Sequence, residues 1–370
     1  MEEQSEMVVN APKGAILQYG GQAVIEGVMM RSPRYFAVAC RKPDGEIVVQ
    51  CEEVDKSIIG KLKWLNKPLL RGTLALIDAM ALGTRALAFA SNVQMQAEQA
   101  MQGTPDAPPT ARQQAEEEIN AVAASAVNGP PVVVPEEMPR SGKINDIAIG
   151  GTIAFSFIFG IGLFVLLPTV LTGLGQKLGI AHIDTSAHRS LWLNVSDGLI
   201  RMVIFFGYIA LISRMQQIQR VFQYHGAEHK AINTLEAGLP LTNANSLAAS
   251  RIHPRCGTSF IFIVLVINLI VFALMPRPEN TFLRILLHVA VIPLVAGVAY
   301  EVIKFAGNFR RNPLVMAVFA PGMATQYLTT REPDASQVEV ALASLYAVLK
   351  AEGHLQAGVP NPDEPEAVTA

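Results

Sequence analysis

The sequence predicts a mostly α-helical, polytopic membrane protein with about four transmembrane helices and a small N-terminal cytoplasmic segment. Three observations lead there. Of its 370 residues, 51% are hydrophobic and 16% charged, with a mean hydropathy of +0.32, whereas soluble proteins carry roughly 25% charged residues. The apolar excess is gathered into runs long enough to cross a bilayer. Lysine and arginine segregate to alternate loops between those runs. These features exclude a disordered chain and argue against an ordinary soluble enzyme. A formal net charge of −2 offers no basic field, so no nucleic-acid partner is expected. Three cysteines are too few for a disulfide scaffold. The acidic start MEEQSEMVVN lacks the basic-then-apolar pattern of a cleaved secretory signal.

Residues 1–93 form the N-terminal segment. Within it, residues 35–54 alternate around Pro43-Asp44-Gly45 and predict a β-hairpin. Residues 68–93 predict an amphipathic helix carrying Arg71, Asp78 and Arg85. Spaced by seven, these share one face, which reads as a solvated surface; a stripe packed on the site or the membrane is the alternative. Residues 94–142, rich in Ala, Gln, Glu and Pro, read as a flexible linker with a short acidic helix at 111–126.

The transmembrane region spans 143–305. Runs 147–174 and 258–275 hold no charge, and run 282–305 carries its charges mostly near its ends. The shorter run 198–213 has Arg201 near one end, where it would snorkel. Residues 306–352 contain LVMAVFAPGM, too short to cross, then a soluble helix over 336–352 opened by a Ser336/Glu339 capping box. Residues 353–370 read as a disordered tail. The segment between the second and third runs holds Arg214, Arg220, Lys230, Arg251 and Arg255; Lys304, Arg310 and Arg311 follow the last run, and Arg140 and Lys143 precede the first. This asymmetry predicts an integral membrane protein with both termini cytoplasmic, the lipid bilayer being its first partner.

The loop 214–257 carries the densest chemistry. His225, Glu228 and His229 form H-x-x-E-H. On a helix the two histidines lie one turn apart on one face, the spacing two ligands of one metal need. Glu228, beside them, is placed to act as general base, the pattern of inverted zinc peptidases. The same loop holds HPRCG, with His253 and Cys256, and three His with one Cys make a tetrahedral set suited to a divalent metal, Zn²⁺ by its ligand chemistry. Four ligands would close the site; three would leave it open. Glu301, an ionisable residue in a span, competes as third ligand unless it pairs with Lys304 or Arg201. Glu236 lies near the same helix, a further candidate unless it simply caps or pairs. A second motif, GGQAVIEGVMMRSP at 20–33, lets backbone approach a ligand closely, with Glu26 and Arg31 as its side chains of interest, or simply forms a tight turn.

GGQAVIEGVMMRSP, FQYHGAEHKAINTLEAGLPLT, HPRCGTSF and PGMATQYLTTREPDASQVEVALASL resemble the bacterial YqhQ family, also called the DUF1385 domain. The resemblance runs from about residue 20 to about residue 349. Leu235 stands where that pattern usually has an aromatic residue. The resemblance implies a metal-dependent membrane enzyme and carries over His225, Glu228, His229, His253 and Cys256, with Glu26 and Arg31. The sequence thus supports a metal-dependent hydrolase at the cytoplasmic interface. Its alternative is a non-catalytic protein whose His/Cys cluster staples the loop while other segments dock membrane-protein partners in assembly or translocation. A transporter has little support in spans with so few interior polar residues.

Overall fold

The computed structural model describes residues 8–9, 19–54, 67, 69–102, 151–152, 155–156, 158–178, 189–276, 278, 280–308 and 312–356. The acidic helix expected at 111–126 and the tail beyond residue 356 lie outside them. Strands β1 (Val8–Val9) and β6 (Leu355–Gln356) pair antiparallel. Between them come β2 (Gly20–Val24), β3 (Gly27–Arg31), β4 (Tyr35–Arg41) and β5 (Ile47–Glu53). The helices are α1 (Leu70–Gln102), α2 (Leu167–Lys177, entered through a π-helical turn), α3 (Arg189–Ile212), α4 (Gln216–Ala237) and α5 (Asn243–Ala248). They continue with α6 (Gly257–Ala273), α7 (Thr281–Asn308), α8 (Pro313–Ala324), α9 (Gln326–Thr329) and α10 (Ala335–Ala351).

The expected hairpin is β4–β5, with Tyr35 opposite Glu53. Asp44 Oδ1 accepts from the Glu46 amide at 3.0 Å in its turn, and Gly45 sits at φ 96°, where a side chain would be strained. The glycine-rich segment before it is more than a turn. It supplies β2 and β3, completing a four-stranded antiparallel sheet in the order β2-β3-β4-β5.

Strand side chains alternate between faces, and here both faces are covered. Val28, Met30, Ala37 and Ala39 pack onto α4 and α10. Met29, Phe36, Val38 and Cys40 point the other way, onto Leu82, Ala86 and Phe89 of α1. A buried serine fastens the first layer: Ser344 Oγ accepts from the Met30 amide at 3.1 Å and donates to the Ala37 carbonyl at 2.9 Å. Helix α10 starts one position earlier than the sequence suggested, because Asp334 and Gln337 form the capping box, with bonds of 2.9 and 3.0 Å, in place of Ser336 and Glu339.

The charged stripe of α1 is not a solvated face. Arg71 binds Glu301 of α7, Asp78 binds Arg31 of β3 at 2.6 Å, and Arg85 binds Glu52 of β5. One helix therefore bridges the sheet and the apolar helices. It also runs on to Gln102, past the expected linker start at residue 94.

Among the described residues, four helices are long and apolar enough to cross a membrane: Arg71–Glu98, Ile158–Gly175, Leu191–Ile212 and Phe282–Val302. Three of them overlap runs read from the sequence. The first is the helix read as amphipathic, and it packs on the sheet through Leu82, Ala86 and Phe89. Run 258–275 is α6, a shorter apolar helix of 17 residues, about 25 Å long at 1.5 Å per residue.

Candidate metal centre

Helix α4 brings the chemistry together. It ends where Gly238 turns left-handed at φ 69°, its amide on the Leu235 carbonyl and that of Leu239 on the Thr234 carbonyl, the usual stop for a helix with glycine after its last turn. Gly226 lets α4 run against the segment before α10: a Cβ there would sit 2.1 Å from the Arg331 carbonyl oxygen. Gly21 does the same for β2, where a Cβ would meet Glu228 at 3.0 Å.

The structure brings His225, His229 and Cys256 together, with one ligand atom from each within 4.8 Å of the others. His225 and His229 sit one turn apart with ring centroids separated by 4.4 Å. Each Nδ1 lies on a backbone carbonyl, that of Thr329 at 2.9 Å for His225 and that of Arg251 at 2.6 Å for His229. A carbonyl only accepts, so both Nδ1 atoms carry the proton and both Nε2 atoms present lone pairs. His225 Nε2 is 3.1 Å from Cys256 Sγ. His229 Nε2 is buried without a well-formed hydrogen bond. Burial also holds the His229 imidazole below its ordinary pKa, keeping it in the neutral form that ligates. Cys256 caps α6, its Sγ accepting from the Thr258 amide at 3.4 Å, at a helix end that favours negative charge. Outer carbonyls that fix the tautomer of ligating histidines are a recurrent feature of metal sites. The three residues therefore fit a soft divalent ion and leave a fourth position open.

Glu228 is buried, and its Oε2 has no hydrogen-bond partner. Burial pushes its carboxyl up to about 7, although His225 and the Gly21 amide oppose the shift. His253 stands outside the trio. Its Nε2 faces Glu236 Oε1 at 3.1 Å, and its ring centroid is 5.7 Å from that of His229. Burial works against the Glu236 carboxylate, but His253 and Arg255 together hold it below its ordinary range. Glu301 accepts from Arg71 at 2.7 Å and is not part of the His225, His229 and Cys256 group. Glu26 takes Arg220 Nε at 2.5 Å and the Tyr224 hydroxyl at 3.3 Å, joining the β2–β3 turn to α4. Arg31 is spent on Asp78.

Sequence reasoning missed the residues that hold this loop. Gln326 is completely buried, accepting from the His253 amide at 2.8 Å and donating to the His253 carbonyl at 2.7 Å and Ser259 Oγ at 2.8 Å. Lys230 donates to the carbonyls of Leu247 and Ala249 at 2.8 and 2.7 Å, and Asn233 to that of Ser250 at 2.7 Å. Lys230 and Asn233 were legible in principle, lying one and four residues beyond His229 in the same motif. Gln326, 73 residues from His253, carried no local signal. An apolar cavity of about 180 Å³, walled by Phe205, Phe206, Ile261 and Phe262, reaches the His225 side of the trio.

A sheet with helices on both faces, joined to apolar helices and carrying a partly buried His-His-Cys cluster, defines the class. The chain belongs to the family described as "Protein of unknown function (DUF1385)", whose model matches residues 67–351, from α1 through α10. It is 33% identical over 335 residues to "Uncharacterized protein YqhQ" of Bacillus subtilis (strain 168), covering 90% of this chain and 93% of that protein. No solved structure matches it.

Proposed function

We propose that this protein is a zinc-dependent hydrolase of the bacterial cytoplasmic membrane, working where its apolar helices meet the sheet. The observation that carries this reading is the pair of Nδ1–carbonyl bonds, which aims both Nε2 lone pairs at the place where Cys256 Sγ also converges. A bound zinc would supply Lewis acidity and ease deprotonation of water. His225, His229 and Cys256 would hold the ion. Glu228, outside the ligand set, takes the proton from the attacking water and later returns it to the leaving group. The surrounding core keeps bulk water away from that carboxylate. The lysine and arginine bias supports a cytoplasmic side for the sheet and both termini.

The test is metal analysis of the full chain purified from membranes. About one zinc per chain is expected in the wild type, and less than about a tenth of that in Cys256→Ala or His229→Ala, given the cost of losing one ligand. Wild-type chain without bound metal sinks the reading. Glu228→Gln keeps its metal but lets an uncleaved lipid or peptide build up in the membrane fraction.

One observation favours a second, structural reading: Glu228 accepts from the Gly21 amide and is sealed in the core. In that reading the metal only ties α4 to α6, beneath a surface that docks membrane-protein partners. A Glu228→Gln strain whose membranes match the wild type would favour it.

A further inference from the structure

The apolar helices contain a second polar centre, made of residues other than the metal ligands. Asp197 and Arg201 lie on α3, and Arg201 is eleven residues before the helix end at Ile212, about 16 Å at 1.5 Å per residue. Far from snorkelling, the Arg201 side chain is 8% exposed and its Nη2 reaches Asp197 Oδ2 at 3.3 Å. Thr172 of α2 donates to Asp197 Oδ1 at 2.9 Å. The guanidinium stacks over Phe272 at 5.3 Å.

This arrangement is unbalanced. Arg284 of α7 lies close enough to repel Arg201, yet Asp197 is the one carboxylate paired with either of them among the described residues. The Nε atoms of both arginines are buried and have no hydrogen-bond partner. Two cations and one anion among apolar helices leave a surplus positive charge, which is costly there unless a counter-charge is present. Beside it lies a cavity of about 350 Å³, lined by Arg201, Asn268 and His288 at its polar part and otherwise by side chains such as Phe164, Val264 and Val295. A cavity of about 150 Å³ holds one benzene ring, so this one has room for a single hydrocarbon chain and none for a helix about 10 Å across.

We propose that this cavity binds a single-chain anionic amphiphile, its carboxylate or phosphate head on Arg201, with Arg284 adding positive charge nearby, and its chain among the phenylalanine and valine side chains. The head supplies the missing negative charge and accepts from the unpartnered Arg201 Nε–H, a charge-assisted bonding that guanidinium favours. The chain runs toward Phe205 and Ile261, which also wall the smaller cavity beside His225. This site stands whether or not the metal reading holds.

The test uses the full chain in an uncharged detergent, with spin-labelled stearate as probe. A motionally restricted signal is expected that saturates, is displaced by oleate and not by inorganic phosphate, and is absent with the spin-labelled methyl ester. Arg284→Gln and Val295→Phe should each weaken binding about tenfold or more, the size of effect that removing a buried charge partner produces. Thermal midpoints read in parallel identify any variant that has not folded. Folded Arg284→Gln and Val295→Phe chains that bind like the wild type overturn the proposal. Displacement by phosphate alone overturns the lipid assignment, and equal binding of the methyl ester overturns recognition of the charged head.

Discussion

The two buried polar centres differ in how completely the chain satisfies them. Around His225 and His229, the ring Nδ1 atoms, Lys230, Asn233, Arg251 and Gln326 all end on backbone or side-chain partners. What is left over there is a set of lone pairs. Around Arg201 the excess is the opposite, N–H groups and positive charge. Unsatisfied acceptors suit a cation and unsatisfied donors suit an anion, so the two proposed sites follow from the same physical rule. The surroundings differ as well. The first centre sits against a sheet with two packed faces, the second among helices that are compatible with lipid contact.

The largest effect that would sharpen this comparison is at Asp197. Asp197→Asn removes the carboxylate that pairs with Arg201 and should cost about 3–5 kcal/mol, as breaking a buried pair does, read as a lowered thermal midpoint in detergent. A midpoint within the error of the wild type would mean that Arg201 is compensated by something else. Next comes Gly226→Ala. Its Cβ would fall 2.1 Å from the Arg331 carbonyl oxygen, so α4 must shift at an expected cost of about 1–3 kcal/mol for overpacking, with metal content falling alongside stability. A stable, fully metallated Gly226→Ala would break the claim that close approach of this backbone sets the ligand geometry. The smallest effect is predicted for His253→Asn, which keeps a polar side chain toward Glu236 and should leave metal content unchanged. Loss of the metal in that variant would place His253 among the ligands after all.

Much of the fold was legible because it depends on local periodicity. Alternation gave β4–β5, apolar runs gave α2, α3 and α7, and the i,i+4 spacing put His225 and His229 on one face. Two errors have a common cause. The strands at 20–31 are rich in glycine and short side chains, so their alternation is weak, and only burial on both faces by α1, α4 and α10 identifies them. The stripe Arg71, Asp78 and Arg85 has the pattern of a solvated face, and only the positions of Glu301, Arg31 and Glu52 make it a set of ion pairs.

The sequence by itself determined that this chain has several apolar helices, a hairpin, and a His/Cys-rich loop, since each is written within a few residues of chain. Tertiary structure alone decided that Cys256 joins His225 and His229 while His253 turns to Glu236. The reason is directional: a ligand set depends on where lone pairs point. Here the carbonyls of Thr329 and Arg251 and the amide of Gln326, distant in sequence from the residues they orient, set those directions.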